Sequence, residues 1–218
     1  MKKIDPKKKI ILDADVIIHF SKGGALGWLT SIFSNKMYIP DIVYQEALSK
    51  KYQTEIDNLF NFKLVEELEI KKDINVFREY NLLKKKFGKG ESACMAYCRY
   101  HNDVIGSSNL KDIKVYCKEN KIEYLTTMDF LAEAYHTGKI DEAACDLFIY
   151  TVKLLGSKLP CSTIKEFLKS NYRPYSFPHF KFLPVGDSNP IHPFVTRSKV
   201  DDCLLNTGDG KPFFEIAN

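Results

Sequence analysis

Apolar and polar residues fall in short blocks along this chain, and the first block sets the frame for the rest. Three lysines at 7–9 lead into Ile10, Ile11 and Leu12, and Asp13 stops the run. A β-branched run this short, bounded by charge, predicts a buried strand over 9–13. The next apolar positions, Val16 to Ile18 and Phe20, predict a helix over 15–21 that packs back on that strand. Asp13 is then expected at the carboxyl end of a strand, where open α/β sheets collect ligands. Further strands are predicted at 36–40 (closed by Pro40), 62–68, 104–107 and 122–126. Helical spacing predicts helices at 25–34, 41–49, 53–60, 73–87, 90–101, 110–120, 127–137, 141–155 and 162–170. Strands separated by helices imply an α/β fold with a central parallel sheet covered by helices on both faces.

The pattern changes after Gly156. Pro174, Pro178, Pro184, Pro190 and Pro193 stand among aromatic residues, which argues against core helices or strands there. The expected organisation is one domain over 1–156 and a C-terminal extension rich in proline and aromatic residues over 157–218, which wraps the domain or docks on a partner. At 218 residues and 44% hydrophobic content, the chain can bury one sizeable core. No apolar run reaches the length of a membrane span, and the acids at 13 and 15 interrupt the only stretch that looks like a leader, so neither a membrane nor a signal peptide is expected. The net charge of +4 is compatible with a polyanionic partner but does not select one. Six scattered cysteines without a framework spacing read as reduced, buried thiols, and so as a cytoplasmic setting.

A parallel sheet ends all its strands at one edge, so the acids near strand ends are the candidate chemistry. Asp13 ends the first strand, Asn109 follows the strand at 104–107, and Asp129 follows the strand at 122–126. Glu46 and Glu91 sit near the starts of helices that follow turns and can lean over the same edge. Converging carboxylates repel one another and are costly to bury. A hard divalent cation resolves that conflict, and Mg²⁺ and Mn²⁺ take carboxylate and carbonyl oxygen. Each residue also has a plainer reading. Asp13 and Asp129 can be turn or cap acids, Asp15 is expected to cap the first helix, Glu46 can be an exposed helix acid, Glu91 can complement a helix N-terminus, and Asn109 can cap the helix that begins at Leu110.

These pieces, in this order, resemble the PIN-domain family of ribonucleases, which includes VapC-type toxins. The matching segments are ILDADVII, YIPDIVYQEAL, GKGESACMAYC, GSSN and LTTMDFLAEAYHTGKI, and together they span roughly residues 8–155. The resemblance implies a PIN-like α/β/α sandwich over 1–156 and Mg²⁺- or Mn²⁺-dependent hydrolysis of RNA. By position, Asp13, Glu46 and Glu91 carry over as metal ligands, and Asn109 and Asp129 would complete the catalytic shell. The family commonly has an aspartate where this chain has Asn109, after Ser107 and Ser108, so one negative charge is missing. The resemblance further implies RNA as partner, a small inhibitory antitoxin-like protein, a homodimer, and a role as a toxin or defence component. The alternative reading is a catalytically degenerate scaffold that binds RNA or a protein partner through its extension; a DNA-directed nuclease would use the same site.

Other features carry bland readings. Cys94, Cys98 and His101 share a helix face but lack a second ligand pair at zinc spacing, so core packing is expected. The GKG before Glu91 lacks the ending of a phosphate-binding loop. Lys84, Lys85, Lys86 and Lys89 lead directly to Glu91 and are the better phosphate-contact candidates; Lys7 to Lys9 enter the opposite end of their strand. Ser107 and Ser108 have no placed base and are not expected to act as nucleophiles. Tyr172, Tyr175, Phe177, Phe180 and Phe182 are expected to pack within the chain rather than stack on bases.

Overall fold

A computed structural model describes residues 4–170, apart from the side chains of residues 46 and 47. The stretch from 171 onward, with its aromatic residues and prolines, lies outside the described residues. Five short strands form one parallel sheet: β1 (Ile10–Leu12), β2 (Met37–Pro40), β3 (Glu66–Leu68), β4 (Val104–Gly106) and β5 (Glu123–Leu125). Their order across the sheet is β3-β2-β1-β4-β5. The chain therefore builds outward from β1 to β3, then crosses back to add β4 and β5 on the other side. This reversal lies between β1 and β4, whose register pairs Leu12 with Gly106. In a parallel sheet the crevice at such a reversal opens beyond the carboxyl ends of the two strands. Asp13 and residues 107–109 continue β1 and β4 into that crevice.

Nine helices among the described residues cover the sheet on both faces. They are α1 (Ala14–Lys22), α2 (Leu26–Ile32), α3 (Lys50–Asn61), α4 (Ile74–Leu83), α5 (Lys89–His101), α6 (Leu110–Asn120), α7 (Thr127–His136), α8 (Glu142–Leu154) and α9 (Ile164–Lys169). α5 lies on β1, β2 and β4 and packs between α4 and α6, while α1 packs with α2, α3, α7 and α8. The small residues of α5 explain its place. Ala93, Cys94, Ala96 and Cys98 are fully buried, and their size lets the helix approach the strands closely. On the opposite face Phe20 meets Phe130 and Phe148, with ring centroids 6.0 and 5.0 Å apart. α9 packs against α7 and α8, with Leu159, Cys161 and Ile164 buried, so residues 157–170 add to the body of the domain.

Several elements differ from their expected extents. The strand expected over 62–68 is only three residues, because Phe62 closes α3 and Lys63 adopts a left-handed turn at φ 55°. The helix expected over 73–87 ends at Leu83, and a run of turns carries the exposed lysines at 84–86. The helix expected over 41–49 is a single π-helical turn, Val43–Ala47, so Glu46 sits on that turn rather than on a regular helix. Cys94, Cys98, Cys117, Cys145 and Cys161 are all buried. His101 lies apart from a zinc-like grouping: its ring stacks on Tyr97 at 4.1 Å and its Nε2 meets Asp73 at 3.3 Å. No described helix is long and apolar enough to cross a membrane.

Glu133 gives a stability prediction. It lies on α7, 1% exposed, with Oε2 lacking a hydrogen-bond partner. Burial pushes its carboxyl up to about 7, against a weaker opposing pull from Lys139. An acid raised in the fold contributes stability that is fully present below its ordinary value and lost as pH rises through the raised one. A Glu133→Met variant has no such loss. Its stability relative to the wild type should grow by about 2 kcal/mol between about pH 4.5 and about pH 8. Urea unfolding followed by Trp28 fluorescence at the two pH values measures this, and an unchanged difference would refute it.

Candidate active site

Asp13 closes β1 and starts α1 in one step. Its N–H donates to Gly106 O at 2.8 Å, continuing the β1–β4 ladder, and its Oδ1 accepts from Ala14 N at 2.8 Å, capping the helix. The cap is therefore Asp13, not Asp15 as the sequence suggested. Asp15 instead turns back toward the end of β4, where its Oδ2 accepts from Ser108 N at 2.6 Å, while its Oδ1 accepts from Val16 N at 2.6 Å. Ser107 Oγ donates to Asp13 Oδ2 at 3.0 Å and stands 3.4 Å from Asp15 Oδ2. The two acids of the first segment thus share the serine pair that follows β4.

Glu91 reaches the same place from the other face of the sheet. It lies in the first turn of α5, which opens at Gly88. Its carboxylate folds back over Gly88 so closely that a Cβ there would collide with Oε2. Asn109 Nδ2 donates to Glu91 Oε1 at 2.9 Å and to Asp112 Oδ2 at 2.9 Å. Asn109 occupies the N-cap position of α6, but its side chain makes no capping bond and spans the two acids instead. The residue expected to be a missing acid is a donor that bridges two carboxylates.

The electrostatics follow from burial and like charge. Asp13 is 2% exposed, and burial, reinforced by Asp15 and Glu91, holds its carboxyl well above the usual range. Burial raises Asp15 to about 6, opposed by the Ser108 and Val16 N–H groups, with Glu91 adding to the rise. Cys94, on the inner face of α5, feels the same field: burial first, then Asp13 among its neighbours, pushes its thiol up. Asp15 and Glu91 are close enough to disfavour the ionisation of Asp13, and Glu91 that of Asp15.

The other expected residues fall as follows. The backbone of Glu46 is on the π-helical turn after β2, and its side chain is outside the described residues. Asp129 forms a capping box: its Oδ2 accepts from Thr126 N at 2.7 Å and from Thr126 Oγ1 at 2.6 Å, while its own N–H donates back to Thr126 Oγ1 at 3.2 Å. The residue that α7 does send toward the serine loop is Thr127, whose N–H donates to Ser108 Oγ at 2.9 Å. Lys8 and Lys9, at the far end of β1, are engaged with Glu123 at 2.9 Å and Tyr97 at 3.1 Å. In the sequence Ser107 and Ser108 read only as nucleophiles without a base, and nothing beside them marks them as donors. The strand register would have exposed that role, since the residue after Gly106 must stand beside the residue after Leu12.

The sequence model of the PIN domain matches residues 9–149, which is most of the chain. The chain belongs to the PIN-domain family. No curated protein matches it. Similar solved structures include VapBC2 from Rickettsia felis bound to a promoter DNA fragment, 17% identical with a TM-score of 0.39, covering 54% of this chain and 98% of that one. VapBC-1 from nontypeable Haemophilus influenzae is 17% identical with a TM-score of 0.41, covering 55% and 98%. FitAcB from Neisseria gonorrhoeae is 14% identical with a TM-score of 0.37, covering 54% and 97%.

The donor set at this PIN site is one of hard oxygens: the carboxylates of Asp13, Asp15 and Glu91 and the amide of Asn109. The mutual repulsion of its carboxylates is the condition a divalent cation relieves. Among the described residues, which exclude the Glu46 side chain, no three His, Cys, Asp or Glu side chains are already gathered as a metal-holding group.

Proposed function

We propose that this protein is a metal-dependent endoribonuclease that hydrolyses RNA phosphodiester bonds at the β1–β4 crevice. The observation that carries the reading is the meeting of Asp13, Asp15 and Glu91 at the carboxyl edge of the sheet, buried enough to raise the carboxyl groups of Asp13 and Asp15. Asp13 and Glu91, with Glu46 from the π-helical turn and the Asn109 amide, would hold one Mg²⁺ or Mn²⁺. When bound, such an ion supplies charge neutralisation at a phosphodiester and lowers the pKa of water.

The chain's own residues do the positioning. Ser107 Oγ and the Ser108 N–H hold Asp13 and Asp15 in separate orientations, so that neither carboxylate turns onto the other. Asn109 fixes the Glu91 carboxylate from the far side. Lys84, Lys85, Lys86 and Lys89, exposed on the approach to α5, are suited to hold the RNA backbone. Asp129 is left to its capping box. Membership of the PIN family supports pairing with a small antitoxin-like protein, and a toxin or defence role follows from that pairing. The cytoplasmic setting and a homodimer belong to the same reading.

The experiment compares wild type with Glu91→Gln. RNA cleavage by the wild type should appear only with Mg²⁺ or Mn²⁺, and the variant should bind Mn²⁺ about tenfold or more weakly by calorimetry. A wild type that neither cleaves RNA nor binds millimolar Mn²⁺ would leave the scaffold reading, for which Asn109 as a donor between two acids is the specific support.

A further inference from the structure

The serine loop after β4 is tied, on the side away from the acids, to a buried histidine. Ser108 uses its N–H for Asp15 and keeps its hydroxyl for α7. Ser108 Oγ accepts from Thr127 N at 2.9 Å and pairs with Thr127 Oγ1 at 2.8 Å. Thr127 Oγ1 pairs in turn with His19 Nδ1 at 2.8 Å. Thr127 is fully buried and His19 nearly so. Three separate elements, α1, α7 and the loop at 107–109, are joined through these three side chains.

With Thr127 Oγ1 donating to one neighbour and accepting from the other, the chain runs in one of two orders. Either Ser108 donates to Thr127 and Thr127 donates to His19 Nδ1, with the histidine proton on Nε2, or the whole sequence is reversed. In both orders Thr127 is the link. Without its hydroxyl, His19 Nδ1 and Ser108 Oγ each lose a partner in a site with little water to replace it. His19 is kept in its neutral form by burial, with a smaller contribution from Lys22, and that form suits either order.

We infer that His19 and Thr127 are positioning residues of the acid site, acting through Ser108 to fix the loop whose Ser107 hydroxyl and Ser108 N–H hold Asp13 and Asp15. Neither residue touches the acids through any of these bonds. Outer partners of this kind orient the groups that do the binding and change affinity without contacting the ligand. The functional consequence rests on the proposed reading of this edge as a cation site; the positioning itself does not.

The test uses the full chain without metal and then with Mn²⁺. Amide hydrogen exchange at Ser108, read by NMR, reports whether its N–H is held on Asp15. Ser108 should be protected in the wild type. In Thr127→Val, which keeps the shape and removes the hydroxyl, it should exchange about tenfold faster. Thr127→Ser restores the hydroxyl and should restore protection. His19→Asn, which can offer an amide near the Nδ1 position, should stay close to the wild type, while His19→Leu should behave as Thr127→Val. Mn²⁺ affinity by calorimetry should weaken about tenfold in the unprotected variants only. An unprotected Ser108 amide in the wild type, or equal protection in folded Thr127→Val and Thr127→Ser, overturns the inference. Should His19→Leu fail to fold, the Thr127 pair still decides it. If the exchange pattern holds while the wild type binds no Mn²⁺, the loop positioning stands and the cation reading falls.

Discussion

An Asp13→Asn variant should lose RNA cleavage by about a hundredfold or more, yet its cation-free form should unfold at a higher temperature than the wild type. The two effects have one cause. Asp13 is buried beside Asp15 and Glu91, so its carboxyl is held well above the usual range. Its ionised form is costly to the fold and useful only when a cation is present. Asparagine can keep the helix cap, because its Oδ1 can accept from Ala14 N as Asp13 does now. Its amide can face Ser107 Oγ in place of Oδ2. The sign with pH follows. A raised acid contributes stability that is complete below its ordinary value and lost as pH rises through the raised value. The wild type suffers that loss at Asp13 and the variant does not. The stability gap should therefore open toward alkaline pH and close on acidification. Thermal unfolding across pH without metal, beside a cleavage assay with Mn²⁺, measures both. Retained cleavage, or a variant less stable than the wild type at neutral pH, would count against the assignment of Asp13.

The second large effect is at Asn109. An Asn109→Asp variant should be less stable without metal and gain more from Mn²⁺ than the wild type does. Asn109 Nδ2 now donates to Glu91 Oε1 and Asp112 Oδ2, both at 2.9 Å. The aspartate removes both donors and sets a third carboxylate against the two. The expected cost is about 2 kcal/mol in cation-free unfolding. With Mn²⁺ the same charge becomes an additional ligand, and affinity should tighten by about tenfold. The decisive readout is the opposite sign of the two shifts. If Asn109→Asp is as stable as the wild type and binds Mn²⁺ no better, Asn109 is not part of the cation site.

These effects bear on how much of the site could be read in advance. Asp13 and the Asn109 amide follow from one rule, that a parallel sheet ends its strands at one edge, while Glu46 and Glu91 follow from helix starts that can lean over that edge. The structure brings Glu91 and Asn109 into contact beside Asp13, at the edge these positions share. Asp15, at the start of the helix expected over 15–21, reads as its cap, but the cap is set by which residue still has extended backbone. That residue is Asp13, at φ −92° and ψ 162°. Asp129, placed after a strand, reads either as a cap or as a site acid. The Thr126 spacing that makes it a capping-box residue was visible, and in the structure the box takes up its Oδ2.

The parallel α/β architecture is legible along the chain, because its short apolar runs suit buried strands and its helical segments return each strand to the same edge. That acids collect there is legible as well. What holds those acids is settled in three dimensions. The donors are Ser107, the Ser108 N–H and Asn109, from a strand more than ninety residues away from Asp13. Behind them stand Thr127 and His19, 108 residues apart. Such partnerships depend on strand order and on where two helices start in space. Spacing along a chain encodes local periodicity, and it carries no record of which distant hydroxyl will face a buried carboxylate.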